Sequence, residues 1–290
     1  MCFRFLALAL LLFRGLAALG QASYSGSIGT LPIEMVIAAD GDGDAQATYV
    51  YTRFDTPISL SGRLQSGTLV FTEKNSLGKP SATLTLNAFS ATAKTARGVW
   101  KNLATGQTLP LALTQQFTVA SGGAGAGNSP ELLQATALKN GYFKAVLAST
   151  ESIGAIKLFE KKTDRLLQTF PVECQLWGLD NVSVGDYNFD GFADFAVFEQ
   201  GYAGPNTSSL YFLYNPATKR YFKSSYSGVS LEFDAKAKRI YETNSCCAGS
   251  SVQKIIYKVL NNRMALVAQH CYKWDEKTQA LVERKWSACQ

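Results

Sequence analysis

Apolar and polar residues alternate with period two through much of this chain, which is the pattern of strands that bury one face. LPIEMVIAAD puts Ile33, Met35 and Ile37 on one side, and ATYVYTRF and GTLVFTEK continue the alternation. Between these runs stand DGDGD, SGRLQSG, NSLGKP and NLATGQ, each with the Gly, Asn or Asp that tight turns require. Strands recurring about every 10 to 12 residues predict an antiparallel barrel or small sandwich. The second half repeats one phrase: FEKKTDRLL from Phe159, YNPATKRYF from Tyr214, FDAKAKRIY from Phe233 and WDEKTQALV from Trp274. In each, an aromatic precedes an acid or amide that caps a short turn, and apolar residues return after it. This predicts a meander of hairpins. A helix is expected only at SPELLQATAL, where Ser129 would cap and Pro130 would take the first helical position.

Between the halves, ASGGAGAGNSP has nothing to bury and reads as a connector. The expected fold class is therefore all-β, with two antiparallel β domains. Residues 23–119 form a small N-terminal barrel or sandwich, 120–129 a Gly/Ala/Ser linker, and 130–290 a C-terminal hairpin meander or sandwich. Residues 1–22 form a signal peptide: MCFRFLALALLLF has an early arginine and a short apolar core, and cleavage after Ala22 fits. That core is shorter than the roughly 20 apolar residues of a membrane span. An exported protein, periplasmic or secreted, is expected, with no membrane anchor.

The formal charge of +6 falls to +4 once Arg4 and Arg14 leave with the leader, and no Lys/Arg cluster marks a nucleic-acid binder. Five cysteines follow the leader: Cys174, Cys246, Cys247, Cys271 and Cys289. In an oxidising compartment they are disulfide candidates. Adjacent residues of a strand point to opposite faces, so Cys246 and Cys247 need different partners if they lie on one. The pairing expected is one of these two with Cys271, and Cys174 with Cys289, leaving one thiol over.

VGDYNFDGFADF carries the densest chemistry in the chain. Counted from Asp186, oxygen ligands fall at positions 1, 3, 5 and 9 as Asp186, Asn188, Asp190 and Asp194. Phe192 can add its backbone carbonyl, and Gly191 permits the sharp turn. Calcium takes six to eight hard oxygens in such a compact wrap. The back of an EF-hand is missing, because Val197 stands where the bidentate glutamate would be. The ligand spacing resembles the β-hairpin calcium loops of integrin-type propeller blades. The earlier Asp40–Asp44 run lacks a following carboxylate and reads as a polar hairpin turn. Phe189 and Phe192, alternating with the ligands, are expected to face the core.

After the loop, EQGYAGPNTSS (199–209) reads as a projecting loop held by the ion. Catalytic signatures are weak. The single histidine, His270, lies within an apolar strand pattern, and no G-x-S-x-G elbow, zinc-ligand pair or phosphate-cradling loop appears. Glu173 and Glu199 are the carboxylates to consider for glycoside hydrolysis. A non-enzymatic binding protein is expected.

CQLWGLDNVSVGDYNFDGFADFAVFEQG, followed by NTSSLYFLYNPATKRYF, resembles the periplasmic immunity proteins of Xanthomonas-type bacteria. The resemblance implies a calcium-bearing β domain, similar in fold to lysozyme inhibitors, whose loop plugs the cleft of a peptidoglycan hydrolase. It places Ser208, Ser209 and Tyr211 nearest to the inhibitors' Ser-Gly-x-Tyr loop. On physical grounds, Tyr202 and Asn206 are alternative inserters. Residues 24–114 resemble a recurrent N-terminal β domain of secreted bacterial proteins. The alternative function is a non-inhibitory envelope or surface module that binds glycan or protein.

Overall fold

The computed structural model describes residues 20–52, 54–121 and 129–289, and every regular element in them longer than four residues is a strand. The first eight are β1 (Gly20–Ile28), β2 (Leu31–Ala39), β3 (Asp44–Tyr51), β4 (Ile58–Gln65), β5 (Thr68–Lys74), β6 (Pro80–Asn87), β7 (Thr95–Asn102) and β8 (Thr108–Thr118). They pair antiparallel in sequence order, and β8 returns to β1 to close a barrel. Closure leaves no edge strand to protect. The alternation read from the sequence points Tyr24, Met35, Tyr49, Phe71, Leu84 and Leu86 into the barrel. Where walls press together a side chain is excluded: a β-carbon at Gly98 would collide with the Thr85 carbonyl.

Three antiparallel sheets follow. The first contains β9 (Glu131–Ala137), β10 (Gly141–Leu147), β11 (Ser152–Glu160) and β12 (Leu166–Gln175). The second contains β13 (Val182–Gly185), β14 (Asp194–Gly201), β15 (Thr207–Asn215) and β16 (Arg220–Lys223). The third contains β17 (Leu231–Asp234), β18 (Arg239–Cys246), β19 (Ser251–Leu260), β20 (Arg263–Asp275) and β21 (Ala280–Arg284). Each is a meander, so every neighbouring pair is joined by a hairpin.

All four repeated phrases are hairpin turns. Asn215, Asp234 and Asp275 accept backbone N–H groups two or three residues ahead. Four residues beyond the cap, Asp164, Lys219, Lys238 and Gln279 take left-handed backbone conformations, with φ of 55°, 54°, 52° and 51°. The side-chain cap and the left-handed residue together set the register of each hairpin.

Val36 and Val50 of the barrel share one core with Leu132, Leu133, Phe143, Phe170, Phe195 and Phe212 of the first two sheets. Inside it, Phe195 stacks on Phe212 with ring centroids 4.7 Å apart, and Phe143 and Phe170 pack on Phe195 at 4.9 and 5.0 Å. A second cluster joins the second and third sheets through Tyr211, Leu213, Tyr226 and Ile240.

Two expectations are corrected. The segment expected to be a helix after Ser129 is strand β9. Leu132 and Leu133 are consecutive and both fully buried, and β9 touches the barrel strands β2 and β3. An extended strand buries both faces here, whereas a helix would bury one stripe. The disulfide joins Cys271 to Cys289, with Cα atoms 5.8 Å apart. Cys174 is buried on β12 of the first sheet and is a free thiol, as are Cys246 and Cys247.

Most of the expected leader, residues 1–19, lies outside the described residues, as do 122–128 of the expected linker. Gly20, Gln21 and Ala22 are the first residues of β1, and Ala22 is buried between Ile37 and Thr118.

Candidate functional site

The Asp186–Asp194 segment connects β13 to β14, and its closure is written in the local sequence. Phe189 and Gly191 take φ of 63° and 91°, which bends the chain back on itself. Asp186 accepts the Asp190 and Gly191 N–H groups at 3.0 and 2.9 Å. Asn188 Oδ1 accepts the Asp190 N–H at 3.2 Å, and Asp190 Oδ1 accepts the Phe192 N–H at 2.9 Å. The Asn188 and Asp190 bonds are Asx turns, and Asp186 closes the loop over the backbone four and five residues ahead.

Asp194 plays a different part. It is fully buried at the start of β14, and its two oxygens accept the Tyr187 and Tyr214 N–H groups at 2.9 and 2.8 Å. One carboxylate thereby ties the front of the loop to the end of β15. Burial pushes its pKa up to about 6 despite those two bonds, and the nearby Asp190 and Asp186 carboxylates push the same way.

Asn188 Nδ2 donates to Asp190 Oδ2 at 2.8 Å and to Asn262 Oδ1 at 3.0 Å. Asn262 sits at the β19–β20 turn, so the third sheet reaches across to the loop. The aromatic expectation divides. Phe189 joins the cluster with Phe233 as expected, but Phe192 is 44 % exposed and lies over Tyr214 at 5.7 Å. Its backbone N–H donates to Asp190 at the surface of the loop, and the ring stays outside.

The donors suit a hard cation. Three carboxylates, the Asn188 oxygen and the Phe192 carbonyl are all oxygen. A carboxylate has about four lone-pair sites, and two backbone N–H groups occupy two of those on Asp186 and on Asp194. Among the described residues, none of the three acids forms an ion pair with Lys or Arg. Nor do the acids converge into a cluster of three metal-ligating side chains among those residues. The loop instead holds them in its own turn hydrogen bonds.

The projecting segment is shorter than expected, because β14 runs to Gly201 and β15 starts at Thr207, leaving residues 202–206. Of the five candidate contact residues, Tyr202 is exposed, at 46 %. Ser209 is half-buried on β15. Asn206, Ser208 and Tyr211 are buried, so they face inward rather than toward a partner. Asn206 Nδ2 donates to Asn244 Oδ1 at 3.2 Å and to the Ser245 carbonyl at 2.7 Å, and its Oδ1 accepts the Ser245 N–H at 3.0 Å. Tyr211 packs against Tyr187 and Phe233 at ring distances of 5.1 Å. Their sequence neighbours gave no sign of this burial, since the third sheet supplies it.

Two recesses flank these elements. A cleft of about 950 Å³ lies between residues 202–206 and the Cys246–Gly249 turn. A groove of about 540 Å³ runs beside Phe192 and Tyr214, with exposed Lys139, Lys219 and Arg220 on its rim. Glu173 and Glu199 both line a shallow depression of about 280 Å³ beside Cys174. His270 Nδ1 lies 2.7 Å from Glu283 Oε1 on the third sheet. Nothing in the sequence pattern points to a site at Lys139 or Asn262. Asn261–Asn262 is legible as a two-residue turn, but not its place beside Asn188.

No protein-family model matches this chain, and no curated protein matches it. Among solved structures, a Xanthomonas type IV secretion system related protein is similar at 13 % identity and a TM-score of 0.26, over 90 % of this chain and 99 % of that one. A Lactobacillus plantarum protein is similar at 11 % identity and a TM-score of 0.29, over 91 % and 95 %. The β-propeller domain of the trilobed protease from Pyrococcus furiosus is similar at 10 % identity and a TM-score of 0.25, over 91 % and 83 %. Identities and scores of this size leave function to be argued from the residues.

Proposed function

We propose that this is an exported calcium-binding β protein that inhibits a peptidoglycan hydrolase, presenting residues 202–206 to the enzyme. The observation that carries the calcium part is the acid-rich loop: Asp194 is fully buried, Asp186 and Asp190 lie nearby, and among the described residues no basic side chain pairs with them. A cation held by Asp186, Asn188, Asp190, Asp194 and the Phe192 carbonyl would offset that repulsion and order the loop. The inhibitory part rests on the resemblance of residues 174–223 to immunity proteins and on exposed Tyr202, whose loop is anchored by Asn206. A loop already ordered loses little entropy on binding.

A second reading is a non-inhibitory module for cell-wall glycan. The groove beside Phe192 and Tyr214 favours it, because an exposed ring with basic neighbours suits sugars that carry carboxylates. A turbidity assay of peptidoglycan lysis, with and without calcium, separates the two. It would use lysozyme-like hydrolases, including any encoded beside this protein. Stoichiometric, calcium-dependent protection that Tyr202→Ala weakens is expected of the inhibitor. Absence of protection together with sedimentation on insoluble peptidoglycan would favour the module.

A further inference from the structure

Cys246 ends β18, Cys247 begins the turn that follows, and both are exposed and line the 950 Å³ cleft. Neighbours on a regular strand would point to opposite faces. Here Cys247 and Ala248 take φ of 56° and 55°, and Gly249 follows at 84°. This left-handed run breaks the alternation and swings both sulfurs to one side, 2.9 Å apart. The turn is fastened by the Ser250 N–H and hydroxyl, which donate to the Cys247 carbonyl at 3.1 and 2.8 Å. Left-handed backbone at two successive residues other than glycine is disfavoured by their β-carbons, so the sulfur pair is held by a conformation the chain does not favour locally.

We propose that Cys246 and Cys247 are a redox-active dithiol that closes reversibly into a disulfide between adjacent residues. The oxidant is a small-molecule disulfide of the glutathione class. The Cys246 thiolate attacks one sulfur of that disulfide, its S–S bond breaks, and one thiolate leaves. The Cys247 sulfur then attacks Cys246 in the mixed disulfide and expels the second thiolate. The two thiol protons end on the two released thiols, and two electrons pass from the protein to the oxidant.

The surroundings sort the roles. Hydrogen bonding from Cys247, and then from Ser251, holds the Cys246 thiol below the usual range, whereas the same contact raises Cys247. The positive charge of Lys273, on the neighbouring strand opposite Ser251, favours the thiolate at both. Cys246 also stands opposite Ser251 in the β18–β19 pair, beside Lys273, and is the attacking sulfur, with Cys247 resolving. Adjacent Cα atoms stand about 3.8 Å apart, closer than the roughly 4.4–6.8 Å of ordinary disulfides, and such a bond is more easily reduced. Cys271–Cys289, with Cα atoms 5.8 Å apart, is within the ordinary range.

The test equilibrates the full chain in reduced and oxidised glutathione at graded ratios, alkylates free thiols and maps tryptic peptides. The peptide 240–254 should lose both alkylation sites together, without a glutathione adduct, as the buffer becomes oxidising. It should regain them at a less reducing ratio than Cys271 and Cys289 require. Cys247→Ser should stop at one glutathione adduct on Cys246, and Cys246→Ser should form an adduct at least about tenfold more slowly. Independent alkylation of the two, bridges from either to another cysteine, or stable double adducts in the unsubstituted chain would overturn the proposal. That readout does not require either variant to fold.

Discussion

Asn206 and Tyr202 lie four residues apart in the same short loop and have opposite surroundings. Asn206 is 8 % exposed and places both ends of its amide on the end of β18, whereas Tyr202 stands 46 % exposed. Asn206→Ala removes three hydrogen bonds and leaves the half-buried Ser245 backbone groups without the Asn206 amide, a loss of about 1–3 kcal/mol. Tyr202→Ala should stay within about 0.5 kcal/mol. Denaturant unfolding of the two variants checks this, and equal losses would contradict the division between anchor and contact residue. Sequence could nominate both residues because loop tips rich in Gly, Pro and Asn project. It could not separate them, because what covers Asn206 arrives 38 residues later. The acid-rich loop was more legible, since Asp186, Asn188 and Asp190 bond backbone N–H groups within five residues of themselves.

At the scale of elements, the four repeated hairpins carry a prediction of their own. Exposed Lys238 sits at φ 52°, four residues after the capping Asp234. Lys238→Gly should keep or slightly raise the melting temperature, because glycine adopts this conformation without a β-carbon clash. Lys238→Val should lower stability by about 1–2 kcal/mol. If thermal melts of the two coincide, backbone strain does not govern the turn. These hairpins were legible because cap and left-handed position lie within one short phrase. Strand β9 was not: Ser129–Pro130 is a sound helix start taken alone, and burial of Leu132 and Leu133 against opposite neighbours overrides it. The disulfide was illegible for a related reason, as spacing does not reveal which cysteines share a sheet.

Across the whole molecule, the sheets are coupled in sequence by shared cores, from the barrel through Phe195 to Tyr211 and Ile240. The Cys271–Cys289 bond closes a segment of separation 18 at the far end of that series. Opening it with Cys271→Ser and Cys289→Ser should release about 3 kcal/mol of loop-closure stabilisation. Hydrogen exchange should quicken in β19 to β21 and stay unchanged in the barrel; equal quickening throughout would mean that the sheets unfold as one unit. The acid-rich loop stands between the second and third sheets, where Asp194 binds the end of β15 and Asn188 binds the β19–β20 turn. A cation there would consolidate both. The most direct measurement is calorimetric titration of calcium into chelator-treated protein, with Asp190→Ala titrated alongside. One calcium should bind per chain, with stabilisation of about 2.7 kcal/mol at a hundredfold excess over the dissociation constant, and Asp190→Ala should abolish both. No binding by the unaltered protein, or equal binding by Asp190→Ala, would contradict the assignment of this loop as a calcium site.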